Sequence, residues 1–75
     1  MTSKQQLGMR IKFLRKQRRW SQEDLALNAN VNKNYISDLE NGRRNPSLDI
    51  LERIAVSMNS TLEELFRGIE TIPGI

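Results

Sequence analysis

Apolar residues along the chain fall into short helical stripes separated by polar breaks. Leu7, Ile11 and Leu14 recur at i, i+4 and i+7, one face of a helix, and predict a first helix over about Lys4 to Arg18. Ser21-x-x-Asp24 has the spacing of a capping box, so a second helix opens at Ser21, with Trp20 placed to staple onto Leu25. Asn30 tolerates the left-handed conformation and makes the turn that follows. Val31-Asn32 repeats the staple-and-cap pattern, with Ile36 as its partner, and predicts a third helix from Lys33 to Asn41, closed by Gly42. Asn45-Pro46-Ser47 is the next break. Ser47 caps a fourth helix, Asp49 suits the dipole of its first turn, and Leu48, Leu51, Ala55 and Met58, widened by Ile50 and Ile54, form its inward stripe. Thr61-x-x-Glu64 opens a fifth helix that ends at Gly68, with Leu62, Leu65 and Phe66 facing inward. The expectation is an all-α chain: one domain over residues 1–68 and a short tail over 69–75, interrupted by Pro73-Gly74.

The stretch from Trp20 to Gly42, WSQEDLALNANVNKNYISDLENG, holds the second and third helices across a very short turn. Ala26 and Ala29 are small enough to let the third helix approach closely. That helix carries Ile36 and Leu39 as an apolar anchor beside Tyr35; the remainder is Lys33, Asn34, Ser37, Asp38 and Asn41. A helix with so wide a polar face meets water or a partner, and two short crossed helices of this form can set the second into the major groove of DNA.

Composition narrows the chemistry. The 75 residues include no Cys and no His, which removes disulfides, thiolate chemistry and the commonest metal ligands, and the carboxylates do not cluster at ligand spacing. No nucleophile–base pair or glycine-rich phosphate loop is present, so an enzyme is not expected, nor a cofactor, metal or small-molecule ligand. No apolar run approaches the ~20 residues of a membrane span; a soluble, cytoplasmic protein is expected. The net charge of +3 is unevenly divided. Residues 1–44 hold ten Lys/Arg against four Asp/Glu, for +6; residues 45–75 hold two against five, for −3. Such a division suits a polyanion-binding face or a solvated basic first helix.

The motifs SQEDLA, NANV, YISDLENG and NPSLDILERIA resemble the lambda repressor/Cro-like (Xre) helix-turn-helix family over about Leu7 to Arg67. The resemblance implies a compact five-helix lambda-repressor-like DNA-binding domain with its helix-turn-helix at the second and third helices. It places Lys33 and Asn34, with Ser37 and Asp38 one turn on, against base edges. Lys33 suits guanine O6/N7, Asn34 suits adenine, and Asp38 suits cytosine N4, or pairs with a basic neighbour instead. Gln22, Asn32, Tyr35, Asn41, Arg43, Arg44 and Ser47 are the candidate phosphate ligands, Asn32 being chiefly a cap. Arg15 and Glu40 resemble the family's inter-helix ion pair. Asn30 stands where the family usually has Gly, and Leu27 where a charged residue is expected.

The compact form with RRNPSLDILERIA and TLEELF is similar to controller proteins of restriction–modification systems. A phage or plasmid repressor and an antitoxin-like protein-interaction module are the alternatives. One recognition helix reads too few base pairs for selectivity, so a two-fold homodimer on double-stranded, palindromic DNA is expected. The candidate dimer residues lie in the acidic half: Leu62, Phe66, Ile69 and Ile72.

Overall fold

The structure, a computed structural model, describes residues 1–70. Ile72, one of the candidate dimer residues, lies outside them. Five helices follow one another without a strand among the described residues: α1 (Ser3–Gln17), α2 (Gln22–Ala29), α3 (Lys33–Glu40), α4 (Leu48–Ser57) and α5 (Leu62–Leu65). The first begins slightly earlier than its apolar stripe suggests, because Thr2 and Gln5 form a full capping box. Ser21 and Asp24 form the second box as read from the sequence. Thr61 accepts from the Glu64 amide, but Glu64 does not return the bond. Its carboxylate is drawn instead to Arg10 (3.3 Å) and Arg67 (2.8 Å).

Four of the helices stop in the same way. After α1, α2, α3 and α4 the chain passes through a left-handed residue: Arg19 (φ 58°), Asn30 (φ 55°), Gly42 (φ 74°) and Asn59 (φ 52°). In each case the next amide reaches back to close the last turn: Trp20 N–H to Arg15 O, Val31 N–H to Ala26 O, Arg43 N–H to Asp38 O and Ser60 N–H to Ala55 O, at 2.8–3.2 Å. This is the Schellman arrangement, which satisfies carbonyls that a helix end leaves without partners. It turns the chain sharply, so α2 and α3 cross rather than continue. At Gly68 (φ 79°) only Ile69 N–H reaches back, to Phe66 O.

The core is built from one face of every helix. Ile11, Leu25, Ile36, Leu39, Ile54, Met58 and Leu65 are fully buried at its centre, and Trp20, Val31, Tyr35, Leu62 and Ile69 pack around it. α3 is held between α2 and α1, α4 rests on α2, and α5 closes against α4 and α1. Ala26 and Ala29 are buried on α2, which packs against both α3 and α4. The α1–α3 approach is tighter still at Gly8, where an added Cβ would lie 2.7 Å from the Glu40 carbonyl oxygen.

Two apolar side chains read as inward-facing do not face inward. Leu48 is 62% exposed and Phe66 42% exposed. Leu48 is the first residue of α4, ahead of the buried stripe at Leu51, Ile54 and Ala55. Phe66 follows the single turn of α5, where Leu62 and Leu65 already fill the space over α4.

Candidate nucleic-acid interface

α3 has two unlike sides. Its inner side carries Ile36, Leu39 and Glu40, all buried. Glu40 is a buried charge and therefore needs partners. Arg15 supplies them in a fork: Nε donates to Oε2 at 2.7 Å and Nη2 to Oε1 at 2.9 Å, while Nη1 donates to the Trp20 carbonyl at 2.6 Å. The hydrogen bonds to Glu40 raise the Arg15 pKa above its ordinary value, against an opposing desolvation. Gln22 Nε2 adds a third donor to Glu40 at 3.1 Å. The pair thus fastens α1, α3 and the start of α2 to one another, and no buried polar side-chain atom among the described residues lacks a partner.

The outer side bears the residues expected to read bases. Helical periodicity sets Asn34, Asp38 and Asn41 along one line, with Lys33 and Ser37 beside it. Lys33 and Asn34 are exposed, and their side chains make no hydrogen bond among the described residues. Ser37 is half-buried, and its carbonyl accepts from Asn41 Nδ2 at 2.8 Å. Asp38 is half-buried and engaged: Arg44 Nη2 donates to its Oδ2 at 3.3 Å. That guanidinium also lies over the Tyr35 ring, 4.9 Å from its centroid, and Tyr35 itself packs against the core.

The candidate phosphate ligands divide by how much of each side chain is left. Asn32 Oδ1 accepts from the Asn34 amide at 2.7 Å, and Ser47 Oγ accepts from the Ile50 amide, so both are helix caps first. Gln22 keeps its backbone N–H at the start of α2, but its side-chain amide holds Glu40. Asn41 folds its amide onto its own helix. Arg43 is exposed and makes no side-chain bond among the described residues, while its neighbour Arg44 is held by Asp38 and Tyr35. Lys33 and Arg43 are therefore the two unengaged cations flanking the outer face of α3.

The basic charge of α1 is differently placed from what its count suggests. Arg10 Nε donates to the Glu64 carbonyl at 2.8 Å. Arg18 donates through Nε and Nη2 to the Met58 carbonyl at 3.1 and 2.7 Å, and through Nη1 to the Leu14 carbonyl. With Arg15 on Glu40, three of the helix's arginines bind the chain's own oxygens. The family resemblance gave Arg15 its partner, and the sequence offered no partner for Arg10 or Arg18. Their partners lie 54 and 40 residues away, and no local pattern carries such a pairing.

No group of three or more Asp or Glu that could hold a metal occurs among the described residues, and no helix of the described residues is long and apolar enough to cross a membrane. Of the candidate dimer residues, Phe66 is exposed, while Leu62 and Ile69 are half-buried against the core.

Comparison with known proteins places this geometry. The profile of the helix-turn-helix family matches residues 11–65. The control protein C.MunI of a Mycoplasma species is 44% identical over 64 residues, which are 84% of this chain and 86% of that protein. The immunity repressor of Bacillus phage phi105 is 39% identical over 66 residues, 88% of this chain but 45% of the repressor. The chain thus spans most of the control protein and about half of the phage repressor. Among solved structures, the restriction-modification controller protein C.AhdI from Aeromonas hydrophila superposes with a TM-score of 0.81 at 32% identity, covering 83% of this chain and 94% of that one.

Proposed function

The chain belongs to the helix-turn-helix family, of the Xre type, and we propose that it is a sequence-specific DNA-binding transcriptional regulator acting as a dimer on a palindromic operator, as a controller of restriction–modification genes. The observation that carries this reading is the outer side of α3. Lys33 and Asn34 open a helix whose other side is locked into the core, and their side chains are not used by the fold. Lys33 reaches guanine O6 or N7, and Asn34 pairs bidentately with adenine. Arg43, the α2 N-terminus at Gln22 and the α4 N-terminus at Ser47 hold flanking phosphates, which position the helix without reading sequence.

A second copy docks at the α5 end around Phe66, which is exposed, with Leu62 and Ile69 beside it. Two recognition helices then enter successive major grooves ~34 Å apart. The protein works in the cytoplasm, and its family is one of regulators rather than enzymes. The controller assignment draws on the match to nearly the full length of C.MunI and on the likeness to C.AhdI. The phage immunity repressor supports a phage-repressor reading instead.

A gel shift on the DNA upstream of its own gene tests binding, and a methyltransferase or endonuclease gene alongside selects the controller reading. No shift at low salt would favour a protein-interaction module. In the regulator reading, Asn34→Ala loses discrimination at one base pair of each half-site by roughly 1–3 kcal/mol; equal losses on operator and random DNA would refute the role of Asn34.

A further inference from the structure

We propose that Asp38 sets specificity by competing with DNA for Arg44, an inference that rests on the DNA-binding reading above. Asp38 is the one acidic side chain on the outer face of α3, one turn beyond Asn34. Its carboxylate is bound to Arg44 Nη2 at 3.3 Å, with the guanidinium over Tyr35. The Arg44 and Asp38 side chains are 48% and 34% exposed. An ion pair so open to water, held by a single hydrogen bond, is weak, and a phosphate, which can accept a guanidinium in a fork of two bonds, can take Arg44 away.

The backbone is already arranged for this exchange. Arg43 N–H donates to the Asp38 carbonyl at 2.9 Å, with Gly42 supplying the positive φ the turn requires. The loop therefore keeps its place on α3, and transfer of Arg44 takes only side-chain rotation. Once Arg44 has moved to a phosphate, Asp38 faces the groove as a bare carboxylate. It accepts from a cytosine N4 amino group, and it is repelled by the acceptor edge of guanine. On a correct sequence the new hydrogen bond offsets loss of the ion pair. On a wrong one, either Arg44 stays on Asp38 and the phosphate contact is lost, or Asp38 meets an acceptor without a donor. Asp38 thus acts chiefly against wrong sequences.

The test uses the full chain and an operator selected from a random pool of duplexes. Affinities for the operator and for random DNA are measured for the natural sequence, Asp38→Asn, Asp38→Ser, Arg44→Gln and Asp38→Asn/Arg44→Gln, with a thermal melt of each. Asp38→Asn and Asp38→Ser are expected to bind random DNA more tightly and the operator no better, so that the ratio of the two affinities falls roughly tenfold, within the range of one good base contact. Arg44→Gln is expected to weaken both DNAs, and more so in the Asp38→Asn background, where Arg44 no longer has Asp38 as a competing partner. An unchanged ratio in both Asp38 variants would overturn the inference. So would a lowered melting temperature with equal shifts on the two DNAs, which marks a loop clamp and nothing more. If the natural sequence selects no operator at all, the regulator reading fails, and this inference with it.

Discussion

The arginines of α1 and the cations around α3 are chemically alike and do opposite work. Arg10, Arg15 and Arg18 are turned inward onto Glu64, Glu40 and Met58. Lys33 and Arg43 point outward with nothing of the protein bound to them among the described residues. Arg44 stands between, held loosely by Asp38. The difference lies in what surrounds each helix. α1 runs past the C-terminal ends of α4 and α5, and Arg18 and Arg10 donate to the Met58 and Glu64 carbonyls there. α3 has no such neighbour on its outer side. Counting charge along the chain therefore locates the basic half of the molecule but not its binding face.

The comparison breaks hardest at Arg15. Arg15→Ala leaves Glu40 charged and buried without its fork, at a cost of ~3–5 kcal/mol, a large part of the ~5–15 kcal/mol by which small domains are stable. The melting transition followed by circular dichroism is expected to collapse toward room temperature. Replacing both partners with apolar residues of similar size should recover most of the loss, since the pair is costly to desolvate. If Arg15→Ala instead melts normally and binds DNA poorly, Arg15 belongs with the outward group.

Arg43→Ala sharpens the other side. The melt should stay where it is, and binding should weaken on every sequence alike. The slope of log affinity against log salt should fall by ~0.9 for each phosphate no longer neutralised. A loss confined to the operator would make Arg43 a reader of bases. The smallest effect is expected at Arg19, which is exposed and left-handed (φ 58°). That conformation costs a side chain ~1–2 kcal/mol, while glycine brings ~0.5–1 kcal/mol of extra chain entropy in the unfolded state. Arg19→Gly should accordingly raise stability by up to about 1 kcal/mol in denaturant titration and leave operator binding intact.

The local devices were open to reading from the sequence. Ser21 with Asp24, Asn32, Ser47 and Thr61 all cap as their spacing suggested, and Asn30 and Gly42 turn the chain. The Arg15–Glu40 pair was accessible only through resemblance. What stayed hidden was set by distance. The partners of Arg10 and Arg18 depend on where α4 and α5 end in space, and the outward turn of Leu48 and Phe66 depends on which neighbours reach them. Periodicity names the face of a helix, but it does not say how far along the helix that face is covered. At the candidate interface, the residue types on α3 were legible. The holding of Asp38 by Arg44, and of Gln22 by Glu40, needed the fold.

The way the helices end has a kinetic consequence. Four ends are closed by a doubled turn of hydrogen bonds, so α1 to α4 have little freedom to fray and their amides should exchange with solvent only when the domain opens as a whole. α5 is a single helical turn whose end lacks the Schellman closure of the other four, and it is the natural first segment to peel away. It carries Phe66, on the face assigned to a second copy. In the dimer proposed above, docking would do more than join two finished domains: it would hold shut the segment most ready to open. By mass action the supply of protein would set both how many dimers exist and how long each protomer keeps that turn.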